Sequence, residues 1–427
     1  MSFPRYPRYK PSGVEWLREV PEHWSVIPLK RVLRLENGAD HKPFEADDGF
    51  PVIGSGGQFA WATQFMFDGE SVLLGRKGTI DRPLYVNGPF WTVDTMYWSR
   101  IHPCASARFC YYAALTIPFG MYSTNTALPS MTKSDLESHA QATPPLAEQR
   151  AIAAFLDRET AKIDALIAEQ EKLIELLAEK RQAVISHAVT KGLNPAAPMK
   201  PSGIEWLGDV PEHWQVVQFR RCIISIEQGW SPECEADAAG IGQWGVLKVG
   251  CVNDEQFDPR ENKGLPEGNT PPEALEVRAG DLLMSRGNTE ELVGMAATAS
   301  TSDSRLLLSD LLYRVHLNPE LAVSSYFAVQ LRSIGCRHQI RCLSTGTSAS
   351  MKKVSQADIR NISVAVPPLN EQAAITQELN QLGNQARRAR HEASTAVALL
   401  RERRSALISA AVTGQIDVRN AVPENAA

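Results

Sequence analysis

The sequence predicts an α+β protein: two globular mixed α/β domains separated by two long antiparallel coiled-coil helices, arranged as a pseudo-two-fold internal duplication. Three observations predict it. Pro11–Trp24 reads PSGVEWLREVPEHW and returns at Pro201–Trp214 as PSGIEWLGDVPEHW, with eleven of fourteen positions identical and an offset of 190 residues. PPLAEQ (Pro144–Gln149) recurs as PPLNEQ (Pro367–Gln372), and ISHAVT (Ile185–Thr190) as ISAAVT (Ile408–Thr413), both pairs being 223 residues apart. Each PPL motif leads into the longest helical pattern of its half. Offsets this large mean two large halves rather than a short solenoid period. The second half carries 33 more residues between its opening motif and its PPL motif, and the length after PPL is kept.

In chain order, the first globular domain takes residues 1–143, a central long helix 144–192, the second globular domain 193–366, the distal long helix 367–418 and a flexible tail 419–427. Within the first domain, Phe50–Ile53, Ser71–Leu74, Leu84–Val86 and Met96–Ile101 read as short strands bounded by turn residues. In the second, Gly245–Val249, Asp281–Met284 and Leu312–Leu317 do so. Local echoes tie the domains together: Gly69–Arg76 (GESVLLGR) with Gly280–Arg286 (GDLLMSR), and Ser130–Lys133 (SMTK) with Ser350–Lys353 (SMKK).

The helices carry a heptad stripe. Leu156, Ile163, Gln170, Leu177 and Val184 recur every seven residues, with Leu166 and Leu173 between them. Shifted by 223, the distal helix offers Leu379, Ala386, Ala393, Leu400 and Leu407, with Leu382, Ala389 and Ala396 between. No Pro or Gly interrupts Leu146–Lys191, and the distal run holds one glycine, Gly383. One helix cannot bury such a stripe, so the two repeats are expected to bury each other's, large side chains against alanines. At ~1.5 Å per residue each rod is roughly 65–70 Å long.

Composition sets the outer bounds. A chain of 427 residues exceeds one core, and 43% hydrophobic with 22% charged residues is ordinary for a globular protein. No apolar run reaches the ~18–20 residues of a membrane helix, and MSFPRYPRYK lacks a signal-peptide core, so a cytoplasmic, non-membrane protein is expected. The seven cysteines form no C-x-x-C and have no histidine at ligand spacing, which suits reduced structural thiols better than zinc. The net charge is −5; residues 1–143 hold 14 basic and 14 acidic groups, and residues 193–366 hold 16 and 21. That argues against coating nucleic acid through bulk positive charge.

Catalytic motifs are missing. The Pro-Pro pairs, Thr143-Pro-Pro-Leu, Thr270-Pro-Pro-Glu and Val366-Pro-Pro-Leu, do not fit the [D/N/S]-P-P-[Y/F/W] of an amino-methyltransferase, and neither a P-loop nor H-E-x-x-H occurs. Gly54-Ser55-Gly56-Gly57 reads as a turn before a phosphate cradle. Asp258, Glu261 and Lys263 are too tightly spaced for a nuclease set. His23 and His213, each beside a tryptophan in the repeated EHW, suit packed, hydrogen-bonded residues.

YPRYKPSGVEWLREVPEHW, its copy before Trp214, the two PPLxEQ-led helices, and the phrases PVIGSGGQFAWATQFMFDGESVLLGRKGTI (Pro51–Ile80) and LLMSRGNTEELVG (Leu282–Gly294) resemble the specificity subunit of type I restriction-modification systems over Tyr6–Val418. The resemblance implies a non-catalytic, sequence-specific DNA-binding subunit with two target recognition domains. Each would read one half of a bipartite, asymmetric target in double-stranded DNA. It also implies that the helices space the domains and dock adenine-methyltransferase (modification) subunits, joined by restriction subunits that translocate DNA. This chain would bind no cofactor itself; S-adenosylmethionine, ATP and Mg2+ belong to the partners, and no catalytic or metal site is expected.

Two domains that share a frame and differ in sequence would read two different half-sites. Loops of strand-and-turn modules aim Arg, Lys, Asn, Gln, Ser and Thr at base edges and phosphates. The candidate DNA contacts are Ser55, Gln58, Arg76, Lys77, Thr124, Asn125 and Lys133 in the first domain. In the second they are Lys248, Arg286, Asn288, Thr289, Ser344, Thr345, Thr347 and Lys352. Arg76 and Arg286 could equally cap or bridge the strands they follow. Arg332, Arg337 and Arg341 suit either a phosphate-facing helix or a solvated face. The competing reading of the whole is a non-catalytic scaffold whose globular domains bind protein.

Overall fold

The computed structural model describes residues 3–123, 129–254, 256–300, 305–346, 351–419 and 421. The chain divides into two compact units, Met1–Glu171 with Ser394–Ala427, and Lys172–Ala393. The helices in chain order are α1 (Ala107–Ala114), α2 (Lys133–Ser138), α3 (Leu146–Lys191), α4 (Ser324–Gln330), α5 (Ile334–Leu343), α6 (Gln356–Asn361) and α7 (Leu369–Val412). Each unit therefore holds one globular module and part of both long helices.

α3 and α7 begin straight after Pro-Pro, where a missing N–H costs nothing, and α7 runs through Gly383 without a break. Both stop where a glycine takes a left-handed backbone, Gly192 at φ 73° and Gly414 at φ 75°. In the first unit, Ile152, Phe155 and Leu156 of α3 share a core with Ile408, Ala411 and Val412 of α7. Asp164 meets Arg404 and Glu171 meets Arg401, both at 2.8 Å. Rising numbers on α3 meet falling numbers on α7, so the pair is antiparallel. In the second unit Ile185, Ala188 and Val189 share a core with Ile375 and Leu379, again antiparallel.

The main heptad row lies where the sequence puts it, and the intervening leucines do not. Leu156, Ile163, Leu379 and Ala393 are buried, and Leu177, Val184, Ala386, Leu400 and Leu407 are half-buried. Leu166 and Leu173, expected in the seam, are 45% and 41% exposed, and Leu382 is 39% exposed. On α3 the intervening row is the next residue along, Thr160, Ile167, Ile174 and Arg181, all at least half-buried. On α7 Gly383, Val397 and Arg404 follow the same spacing, but Arg390 in that row is exposed and the expected Ala389 and Ala396 are half-buried. The Leu156 series occupies heptad position d, so its partner row a lies four residues on, not three.

Each module repeats one frame. Ser25–Pro28 pairs with Ala140–Thr143, and Gln215–Gln218 with Ser363–Val366, in identical register. Three central strands also match: Leu33–Asn37, Met96–Ile101 and Phe67–Gly75 against Ile223–Gln228, Leu312–Leu317 and Leu282–Ser285. The expected strands lie within or across these and their neighbours. Beyond the shared core the modules part. The first continues through Leu84–Thr92, Phe50–Gly54, Gly57–Ala62 and Glu45–Ala46 into one seven-stranded sheet. The second closes a four-stranded sheet with Ala296–Thr298 and builds a separate three-stranded one from Asn262–Gly264, Gly245–Leu247 and Leu306–Leu307. Most of the extra residues fall between Gly229 and Ser285, the stretch that runs from Gly38 to Gly75 in the first module. No described helix is long and apolar enough to cross a membrane.

Candidate nucleic-acid interface

The repeated motifs make the platform. Glu148 of PPLAEQ is buried and accepts hydrogen bonds from the Trp24 indole at 3.2 Å and the Tyr6 hydroxyl at 2.7 Å, with His23 Nε2 at 2.8 Å. Glu371 of PPLNEQ holds His213 at 2.6 Å and Trp214 at 2.9 Å. EHW and PPLxEQ therefore recur together because each histidine–tryptophan pair binds the other motif's glutamate. The glutamine that follows has its own task. Gln149 accepts from Ser106 N and donates to Pro144 O, while Gln372 accepts from Val323 N and donates to Pro367 O. Each glutamine thus ties the start of α1 or α4 to its long helix.

On that platform both modules build the same bracket at the end of one strand. Arg76 N donates to Thr95 O, the Arg76 guanidinium to Asp94 O at 3.3 Å, and Met131 N to Arg76 O. In the second module Arg286 N donates to Leu311 O, its guanidinium to Asp310 O at 3.2 Å, and Val354 N to Arg286 O. Tyr97 and Tyr313 donate their hydroxyls to Met131 O and Val354 O. Both arginines are half-buried, each with one nitrogen engaged by the main chain.

This bracket corrects the second local echo. Met131 corresponds to Val354, an offset of 223, so Ser130-Met131-Thr132-Lys133 aligns not with Ser350-Met351-Lys352-Lys353 but with Lys353-Val354-Ser355-Gln356. Thr132 caps α2 through Asp135 N, as Ser355 caps α6 through Asp358 N. Lys133 therefore corresponds to Gln356, and the two lysines bracketed in the sequence are not counterparts.

Around the first bracket, Lys77 forms a bridge with Ser130, next to Met131, and Lys133 opens α2 with Glu137 3.7 Å from its ammonium. Ser55 sits in the two-residue turn between Phe50–Gly54 and Gly57–Ala62, the turn expected of the glycine cluster, and Gln58 is exposed on the next strand. Thr124 and Asn125 lie outside the described residues, as does Thr347 in the second module.

The second bracket gathers more. Gly287–Asn288 pairs with Lys352–Lys353, and Thr345 bridges Lys353, so Arg286, Asn288, Thr289, Ser344, Thr345 and Lys352 come together. Asn288 donates to Asn253 Oδ1 at 2.9 Å and accepts from Thr289 N. Lys352 Nζ donates to Gly346 O at 2.8 Å, and Ser344 ends α5. Lys248 lies apart, opening the 3-10 turn Val249–Val252 that leads to Asn253.

The arginines Arg332 and Arg337 correct the expectation of a phosphate-facing cluster. Arg332 donates to Ala296 O at 2.7 Å and Val252 O at 2.6 Å, and also to Asp254 O. Arg337 donates to Val293 O at 2.6 Å and Glu291 O at 2.7 Å. Burial, with the charge of Arg337 beside Arg332 and that of Arg341 beside Arg337, lowers both guanidinium pKa values to about 10. They stay charged at neutral pH but face inward, and Arg341 is the exposed member. The acidic second module therefore presents even less positive charge outward than its sequence suggests. Asp258, meanwhile, is engaged with Arg260 at 2.9 and 2.8 Å in an exposed loop.

A family model described as the type I restriction modification DNA specificity domain matches residues 21–176. The chain is similar to the EcoKI specificity subunit of Escherichia coli K12, 23% identical over 93% of this chain and 90% of that one. It is 26% identical to the EcoEI specificity subunit of Escherichia coli over 46% of this chain, spanning a third of that protein (33%). It is also similar to the MjaVIII specificity subunit of Methanocaldococcus jannaschii, 24% identical over 69% of this chain and 66% of that one. In fold it resembles a solved chain from work on assembly and conformational transition of the type I R-M system. That chain has a TM-score of 0.66 and 14% identity, with 92% of this chain and 98% of that chain covered.

Proposed function

We propose, from the premise that the chain belongs to the family of type I restriction-modification specificity subunits, that its two modules each read one half of a bipartite, asymmetric DNA target. One observation carries this reading. The same main-chain bracket, built around Arg76 and around Arg286, holds loops of different length and different side chains in the two modules. A shared mount with different readers suits two half-sites of different sequence. Asn288, Thr289, Ser344, Thr345 and Lys352 offer amide, hydroxyl and ammonium groups for base edges and phosphates, as Ser55, Gln58, Lys77 and Lys133 do in the first module.

The chain does no chemistry in this reading. It selects the DNA, and partner subunits bring S-adenosylmethionine for adenine methylation and, where restriction subunits join, ATP and Mg2+. The paired helices α3 and α7 are the surface for those partners. The test is selection from randomised duplexes by the full chain co-expressed with modification subunits, followed by methylation sequencing of host DNA. Two unlike half-sites at a fixed spacing are expected. Binding without sequence preference in the assembled complex would refute the reading and leave the scaffold alternative.

A further inference from the structure

We propose that Arg332 and Arg337 are positioning residues for sequence reading, clamping the loop Arg286–Gly294 and its neighbour Val252–Asp254 to one rigid base. The inference rests on the DNA-reading function proposed above for that loop.

The base is the junction of the second module with α3. Gln182 of α3 donates to Arg332 O at 2.9 Å, and Ile334 N donates to Ser186 Oγ at 3.2 Å. The main chain at Arg332–Ile334 is thus held by α3 on either side of Ser333. From there the Arg332 side chain reaches Ala296, Val252 and Asp254 carbonyls, and a longer contact of 3.4 Å reaches Asn253 O. Asn253 in turn holds the Asn288 amide at 2.9 Å. Three steps lead from a long helix to a candidate reader.

Arg337 grips the same loop from α5. Its two terminal nitrogens bind Val293 O and Glu291 O, while Ser285 Oγ binds Leu292 O and Gly294 N binds Ser285 O. The far limb of the loop is therefore pinned at every residue from Glu291 to Gly294, and the near limb at Arg286 and Asn288. Thr289 and Glu290 are left exposed at the tip.

Apolar residues would fill this space without stranding cations. Burying a guanidinium against carbonyls alone is expensive, and what it supplies is direction: planar, forked donors fix acceptors to within a few tenths of an ångström. A reading loop needs that, because a base-edge contact is lost when its donor drifts by about 1 Å. Among the described residues the first module shows no such arginine clamp after α1, where its chain continues as Leu115-Thr116-Ile117.

The experiment compares Arg337→Lys and Arg332→Lys with wild type in the full chain co-expressed with modification subunits, using duplexes randomised in both halves of the target. Lysine keeps the charge but has a single nitrogen where arginine binds two carbonyls. The expected result is a five- to tenfold loss of discrimination in one half-site only, with the other unchanged. Amide exchange in 286–294 should accelerate at the same time. A purely structural role would lower the melting temperature and affect both half-sites alike or neither, and that outcome overturns the proposal. Should either lysine variant fail to fold, Asn253→Ala removes the link to Asn288 without opening the core. It must show the same one-sided loss, and full discrimination there overturns the proposal too. If wild type itself shows no sequence preference, the reading function falls, while unchanged exchange in Arg337→Lys would separately refute the clamp.

Discussion

Trp98 and Arg314 occupy the same position of the same strand in the two modules, and almost nothing else about them is alike. The strand matches through the pairing of Trp98 with Glu36 and of Arg314 with Glu227. Trp98 packs against Phe67 and Phe90 and donates its indole N–H to Asn37 O at 3.1 Å. Arg314, just as buried, binds Glu227, Asp281 at 3.2 Å, and the carbonyls of Ala274 and Glu276. The first module is organised by aromatic packing around one continuous sheet. The second is organised by three inward arginines, Arg314, Arg332 and Arg337, that hold loops between small sheets. Duplication kept the frame and replaced the means of filling it.

The largest expected effect breaks that comparison at its centre. Arg314→Met removes the buried cation shared by Glu227, Asp281 and the carbonyls of Ala274 and Glu276, at a cost of about 3 kcal/mol. The loss should fall on the second unit, read by denaturant-dependent hydrogen exchange in its own peptides. A cost below ~1 kcal/mol would mean that loop carbonyls and carboxylates re-solvate freely and that arginine does not organise this module.

A smaller effect sharpens the comparison through pH. Leu29 N donates to His139 O in the first module and Phe219 N to Ile362 O in the second, so His139 stands where the second module has isoleucine. Buried, stacked on Trp16 and bonded to Tyr122 at 2.9 Å, His139 has its pKa lowered by desolvation from 6.5 to about 4. As pH falls the unfolded chain takes up the proton first. Its stabilising contribution is therefore complete above about 6.5 and is lost as pH falls toward about 4. Over that window the first unit should lose on the order of 2 kcal/mol through this residue. His139→Ile should flatten the stability–pH curve of that unit. A variant curve parallel to wild type would assign the acid sensitivity elsewhere.

The split between what was legible and what was not follows the same physics. The repeats named the platform, because glutamate with His-Trp and glutamine with main chain are pairings both copies need. The helix boundaries were legible from Pro-Pro and the absence of breakers. The seam was legible in one row only. Its second row carries Thr160, Arg181, Gly383 and Arg404, so counting apolar residues selects Leu166, Leu173 and Leu382 on the exposed flank. The inward turn of Arg332 and Arg337 had no signature at all, since their acceptors are carbonyls that every residue owns. The candidate contacts Asn288 and Lys352 come together through a strand pair of two residues, too short to leave a periodic trace.

That polar row supplies the smallest and most local comparison. Arg404 in the first unit and Arg181 in the second are 223 residues apart and take the same heptad position, as do Thr160 and Gly383. Arg404 has Asp164 at 2.8 Å; the residue 223 beyond Asp164 is Arg387. Burial, together with the charges of Arg387 and Arg390, lowers the Arg181 pKa to about 10. Gly383 makes room for that guanidinium, because a Cβ there would lie 2.3 Å from Arg181 Nη1. Gly383→Ala by itself should gain about 1 kcal/mol of helix propensity, reduced by the cost of moving the half-buried Arg181 guanidinium. In an Arg181→Ala background only the gain remains. The double-mutant cycle should therefore show a coupling of about 0.5 kcal/mol or more, measured by thermal melts of the four proteins. Additivity within ~0.3 kcal/mol would mean the arginine swings aside at no cost, and that the glycine does not fix how the helices meet in this unit.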